Sequence, residues 1–225
     1  MLLCSAVLLP CMAWAQAPSE RVEHAQGEKA DSDWVLQKLA RPAPMRTDFL
    51  EVRDSPLLKA PLRLSGEYRR PSDDTLVREV RAPYAETTTI RAGQATIARA
   101  GKTPRTFSLS RVPELAGLQA SFGAMLSGDR ATLEKFYRVG TQGTRQQWTM
   151  TLVPKDAQLA GKVRDIALHG RGAELRCIET RPVRSGKQGN GEIQRTLLAS
   201  AARAAGAAST TEALAALCHG SAPRR

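Results

Sequence analysis

Apolar and polar residues alternate with period two along six successive segments after Met45, at 47–53, 61–70, 75–81, 84–91, 94–99 and 105–110. Such alternation sends successive side chains to opposite faces of an extended chain, so each segment is predicted to be a β-strand with one buried face. Turn residues separate them at Ser55-Pro56, at Pro71 to Asp74, at Ala82-Pro83 and at Gly101-Lys102. Connections this short pair neighbours antiparallel, which predicts a meander. In the second segment Leu62, Leu64, Gly66, Tyr68 and Arg70 share the apolar face, while Arg63, Ser65, Glu67 and Arg69 share the other. Gly66 on the inner parity predicts either space or a sharp bend. Arg70 on the same parity predicts a guanidinium that meets carbonyls or an acidic headgroup at the end of the buried face, or one that snorkels to water.

A helical stripe interrupts the meander at 113–127, with Pro113 in its first turn and Leu115, Leu118, Phe122, Met125 and Leu126 on one side. Gly128 stops it, and Asp129 caps a short second helix through Glu134. Strand patterns resume at 135–140, 144–154, 162–169 and 173–180; in the second of these Trp148, Met150 and Leu152 alternate with Gln147, Thr149 and Thr151. Upstream, Asp31, Ser32 and Asp33 give an N-cap signal before Trp34, Val35, Leu36 and Leu39. About ten strands with one apolar face each and only three helices predict a mainly β, α+β fold. Its expected form is a single curved antiparallel sheet, an unclosed β-barrel whose concave side is buried against the helix at 113–127. Residues 16–30 are polar and aperiodic, which predicts a disordered leader, and 31–180 form the expected domain. The glycine-rich 185–191 and alanine-rich 193–217 carry no packing signal, so 181–225 is expected to be a flexible basic tail.

Composition narrows the chemistry. Of 225 residues 42% are hydrophobic and only 4% aromatic, so the interior is expected to be aliphatic and large enough for a real core. The first fifteen residues are uncharged and end in Ala13-Trp14-Ala15, a small-x-small spacing that predicts an exported protein cleaved near Ala15. Cys11 follows Pro10 rather than the small residue of a lipoprotein anchor, and no later stretch approaches the roughly 20 apolar residues of a membrane span. Soluble export is therefore expected. Two cysteines remain after cleavage: a Cys177–Cys218 disulfide, or a buried Cys177 with a free Cys218 thiol in a loose tail, are both open. The net charge of +11 suits transient contact with anionic headgroups, or solubility alone. His24, His169 and His219 are scattered without zinc or triad spacing, and Ser185-Gly186-Lys187 lacks the frame of a phosphate loop. Neither an enzyme, nor a metal, nor a cofactor is expected, and arginines without interleaved aromatics argue against nucleic acid.

Several pieces, taken in order, resemble a known family: Arg46 to Arg53, Pro61-Leu62, Ser65 to Pro71, Pro113-Glu114-Leu115, Leu126 to Asp129 and Trp148 to Pro154. Together they resemble the periplasmic outer-membrane lipoprotein carrier (LolA-like) proteins, most of all the divergent branch that accompanies aryl-polyene or xanthomonadin pigment genes. The resemblance implies a periplasmic carrier that shields acyl chains in an apolar cavity under a helical lid, with an inner-membrane donor and an outer-membrane acceptor as partners. It also implies that Arg70, before Pro71, hydrogen-bonds the lid. The cavity-facing residues expected on this basis are Leu62, Leu64, Tyr68, Trp148, Met150 and Leu152, with Leu115, Leu118 and Phe122 from the helix. The cargo is expected to be an acylated lipid, a polyene or a lipoprotein, and the carrier a monomer. The rival expectation is a non-catalytic envelope scaffold that binds a protein or anionic lipopolysaccharide through its basic face.

Overall fold

Strands form where the period-two pattern runs: β1 (Met45–Arg53), β2 (Leu62–Ser72), β3 (Thr75–Ala82), β4 (Glu86–Arg91), β5 (Gln94–Arg99), β6 (Arg105–Ser108), β7 (Tyr137–Thr144), β8 (Gln147–Pro154), β9 (Val163–Arg171) and β10 (Glu174–Pro182). The structure is a computed structural model that describes residues 27–53, 60–109, 123–183, 193–206 and 209–220. An eleventh strand, β11 (Gln194–Leu198), completes one antiparallel sheet in the order β6-β5-β4-β3-β2-β1-β11-β10-β9-β8-β7. The sheet is thus two meanders running outward from a shared seam, with β11 pairing β1 on one side and β10 on the other. β6 and β7 lie at opposite ends of this order and do not pair with each other, so the barrel does not close.

Alternation decides which residues meet on each face. Phe49, Leu64, Val80 and Leu198 form one apolar cluster on the concave side, together with Tyr68 and Ile178 at its margin. The neighbouring part of that side is covered by α1 (Ser32–Leu39), by the helical turn at 123–127 and by α2 (Arg130–Phe136). Val35, Leu36, Leu39, Met125 and Leu133 bury themselves there against Trp148, Met150, Leu152 and Leu168. Both helices start as the sequence predicts, with Asp31 accepting from the Trp34 N–H and Asp129 from the Thr132 N–H. A one-turn helix, α3 (Ala157–Ala160), joins β8 to β9.

The expectation of a loose tail does not hold for its described residues. β11 lies inside the sheet between β1 and β10, and α4 (Ala199–Ala204) and α5 (Thr211–His219) lie on the convex side. Ala201, Leu214 and Cys218 pack there on Val52, Cys177 and Leu197, and Cys177 and Cys218 form a disulfide. Small alanine faces suffice for docking because the helices lie close against the strands and are held by a covalent bond. Residues 27–30, expected in the leader, instead run beside β7: Lys29 bridges Thr144 and Ala30 is buried. The segment expected to be a signal peptide, and Leu115, Leu118 and Phe122 of the predicted stripe, lie outside the described residues.

Candidate functional site

Between α1, the turn at 123–127 and strands β1, β2 and β10, the concave side encloses a cavity of about 470 Å³. Its walls are mainly apolar, from Leu39, Met45, Tyr68, Leu76, Met125, Leu126, Leu175, Ile178 and Leu198. Arg41, Arg46, Arg69, Arg70 and Arg171 also line it, with Glu174 as the acid among them. The Arg46 side chain is 76% exposed and reaches Glu67 only at 3.9 Å, whereas Glu174 is engaged by the Ser200 N–H and hydroxyl. An apolar hollow with a basic surround can hold a hydrocarbon chain and face an anion with its rim.

Arg70 is buried, and its partners account for the charge. One guanidinium nitrogen donates to the Arg41 carbonyl at 2.6 Å and another lies 2.8 Å from the Asp73 carboxylate. Arg41 follows Ala40, the C-cap of α1; its own N–H donates to the Leu126 carbonyl at 3.1 Å and its guanidinium to the Ala173 carbonyl at 3.2 Å. The segment at Arg41 therefore ties the β2–β3 turn, the helical turn at 123–127 and the β9–β10 turn together across the cavity mouth.

A second cavity of about 190 Å³ adjoins the first, and Tyr68, Met125 and Ile178 line both. One side of it is apolar, with Tyr137, Leu152, Ile166 and Leu168; the other carries Glu51, Thr180, Gln194 and Thr196. Glu51 is only 2% exposed, and its carboxylate accepts from Arg78 at 2.7 Å, from Gln194 at 3.0 Å and from Arg53. Burial pushes the Tyr68 phenol above its ordinary value, against the opposing pull of Arg78, so the hydroxyl stays neutral. An aliphatic interior was expected; this polar half departs from it. The signal was present in the sequence, because Glu51 and Arg78 both sit on the inward parity of their strands, beside Phe49 and Val80.

A family model described as "Outer membrane lipoprotein carrier protein LolA-like" matches residues 24–222. The chain belongs to this LolA-like family. Among solved structures, a LolA superfamily protein from Nitrosomonas europaea is similar at 11% identity and a TM-score of 0.39, over 76% of this chain and 92% of that one. A Pseudomonas aeruginosa MucA/MucB complex structure is similar at 14% identity and a TM-score of 0.37, over 75% of this chain and 56% of that one. No curated protein matches the chain. Among the described residues of this LolA-like protein, no helix is long and apolar enough to cross a membrane.

The residues expected to line the cavity divide into two groups. Tyr68 lines both cavities and Leu152 the second. Trp148 and Met150 are instead sealed beneath α1 and the turn at 123–127, and Leu62 and Leu64 belong to the packed cluster around Phe49. Parity assigned each of these to the inner face correctly, yet it carries no information about which part of that face the helices fill. Trp148 has a further anchor, since its indole N–H donates to the Gly172 carbonyl at 2.9 Å and its ring occupies the space where a Cβ on Gly170 would stand. Arg41, Glu51, Arg78 and Gln194 were not foreseen as site residues.

The scattered histidines also come together, on the convex side. His169 and His219 stack edge to face at 4.8 Å, and the ε2 nitrogen of each lies 3.3 Å from the Glu179 carboxylate. Arg195 at 2.8 Å and Arg181 at 3.3 Å share the same carboxylate, and the Cys218 sulfur nearby is held in the disulfide. Burial alone would push the Glu179 carboxyl up; the His169 and Arg195 hydrogen bonds, with their charges, outweigh it and hold the carboxyl far below the usual range. Glu179 thereby fastens the end of α5 to β10.

Proposed function

We propose that this protein is a non-catalytic periplasmic carrier that shields the acyl chain of a lipid, polyene or lipoprotein on its way to the outer membrane. The observation that carries the reading is the apolar cavity of about 470 Å³ on the concave side, left between the helices and strands β1, β2 and β10. Burial of a chain there is worth about 0.8 kcal/mol per methylene, so hydrocarbon alone supplies ample affinity. Release is the harder step, and the Arg70–Arg41 bond across the mouth is suited to gate it. Breaking this bond would separate the end of α1 from the β2–β3 turn. Arg70 acts as the latch in this reading, with Tyr68 and Leu152 as cavity walls.

The test is displacement of a fluorescent fatty acid, 11-(dansylamino)undecanoic acid, by hexadecanoic acid, together with mass spectrometry of lipid that copurifies with the protein. Saturable displacement with little dependence on salt is expected, because the contact is apolar. Absence of both displacement and copurified lipid would overturn the carrier reading. Steep salt dependence of the displacement would point to the basic surface rather than the cavity. Arg70→Leu is expected to change the rates of probe uptake and release; unchanged rates would remove the latch.

A further inference from the structure

The second cavity has a composition that plain hydrocarbon does not explain. Its polar side is assembled from β1, β10 and β11, with Glu51, Thr180, Gln194 and Thr196 turned toward a wall of Leu152, Ile166 and Leu168. Glu51 is saturated by Arg78, Arg53 and Gln194, so it is a fixture of the wall and not a group awaiting a cation. The hydroxyls are different. Thr196 is 7% exposed, yet neither its hydroxyl nor that of Thr180 has a hydrogen-bond partner among the described residues, and the carbonyl oxygen of the Gln194 side chain is likewise unpaired there. Methylenes laid against these groups would strip their water and return no hydrogen bond, a cost of about 1–3 kcal/mol for each. A charged ligand group fits no better, because neither Arg53 nor Arg78 lines this cavity and both guanidinium groups are engaged by Glu51, so its charge would be buried without a partner of its own.

We propose that this cavity is a subsite for a neutral hydrogen-bonding group, a hydroxyl, carried at the end of the cargo's apolar chain. Its recognition elements are the Thr180 and Thr196 hydroxyls and the Gln194 side-chain carbonyl, held in place by the Gln194–Glu51 hydrogen bond at 3.0 Å. The inference rests on the carrier reading above and names the cargo class more narrowly. The chain would run from the arginine-lined first cavity past the shared residues Tyr68, Met125 and Ile178 into the second. An anionic head beside Arg46 and Arg171 and a hydroxyl at the far end then match the two polar regions at once.

The test compares two competitors with the same head and length, hexadecanoic acid and 16-hydroxyhexadecanoic acid, in displacing 11-(dansylamino)undecanoic acid from the wild-type protein. A wholly apolar cavity would reject the hydroxylated acid by well over tenfold, since its hydroxyl would be buried without a partner. The subsite predicts that the two compete within tenfold of each other. Thr196→Val and Gln194→Leu, each close in size to the original, should then favour hexadecanoic acid by roughly another tenfold; Thr180→Val serves as a further variant should one of them fold poorly. A hydroxylated acid more than tenfold weaker on the wild type, or a ratio that the variants leave unchanged, would overturn the subsite while leaving the carrier intact. Failure of hexadecanoic acid itself to displace the probe would overturn the subsite and, if no lipid copurifies either, the carrier reading too.

Discussion

Gly66 is glycine because the neighbouring backbone leaves no alternative. A Cβ there would stand 1.8 Å from the Glu79 carbonyl oxygen, at a point where the β2–β3 register slips by a residue. The bend, not empty space, explains the gap in the apolar face. Gly66→Ala should lower stability by about 3 kcal/mol, read as a shift of the urea midpoint, because backbone rather than a flexible side chain must move. Ala92 presents the opposite case. It opens the two-residue β4–β5 turn at φ 47, followed by Gly93 at φ 70, which is left-handed geometry that suits glycine or asparagine. Ala92→Gly is expected to raise stability by about 1 kcal/mol in the same titration, and an unchanged or lower midpoint would count against the turn assignment.

At the level of elements, the convex side is held by α5, and two bonds with different chemistry fasten it. The Cys177–Cys218 disulfide closes a separation of 41 residues, so Cys218→Ser should cost roughly 4 kcal/mol of stability in the chain-entropy account, checked by denaturant titration. Glu179 supplies the second. Its carboxyl lies below the ordinary 4.5 in the folded protein, so acid protonates the unfolded chain first. The stabilisation is complete above about pH 4.5 and fades as pH falls through the depressed folded value. Thermal midpoints of the wild type should therefore drop steeply below pH 4.5, and Glu179→Gln should flatten that drop. The ten strands with one oily face were legible in the sequence, and so were α1 and α2 from their Asp31 and Asp129 caps. β11 was not, and the reason is physical: Leu198 points to the concave cluster and Leu197 to the convex one, so a strand covered on both sides loses the alternation by which its neighbours are recognised. The site was legible to the same extent, because parity named its face, while the helices that divide the face into core and cavity act from distant parts of the chain.

For the molecule as a whole, β11 is the seam between two meanders that, among the described residues, share no other strand pairing. A chain ending at Pro182 would leave the facing edges of β1 and β10 with unpaired backbone groups, the arrangement that invites edge-to-edge association. It should elute from size-exclusion chromatography as aggregate, whereas the intact chain is expected as a monomer; a soluble, monomeric truncated chain would contradict the seam. The placement of that seam also sets the order of assembly. Phe49 pairs with Leu198, so the strand that unites the two halves follows every other strand of the sheet along the chain. Neither half can pair its inner edge before β11 has been made. The newborn chain thus keeps the facing edges of β1 and β10 open until β11 has been made, which favours slow folding dominated by distant contacts.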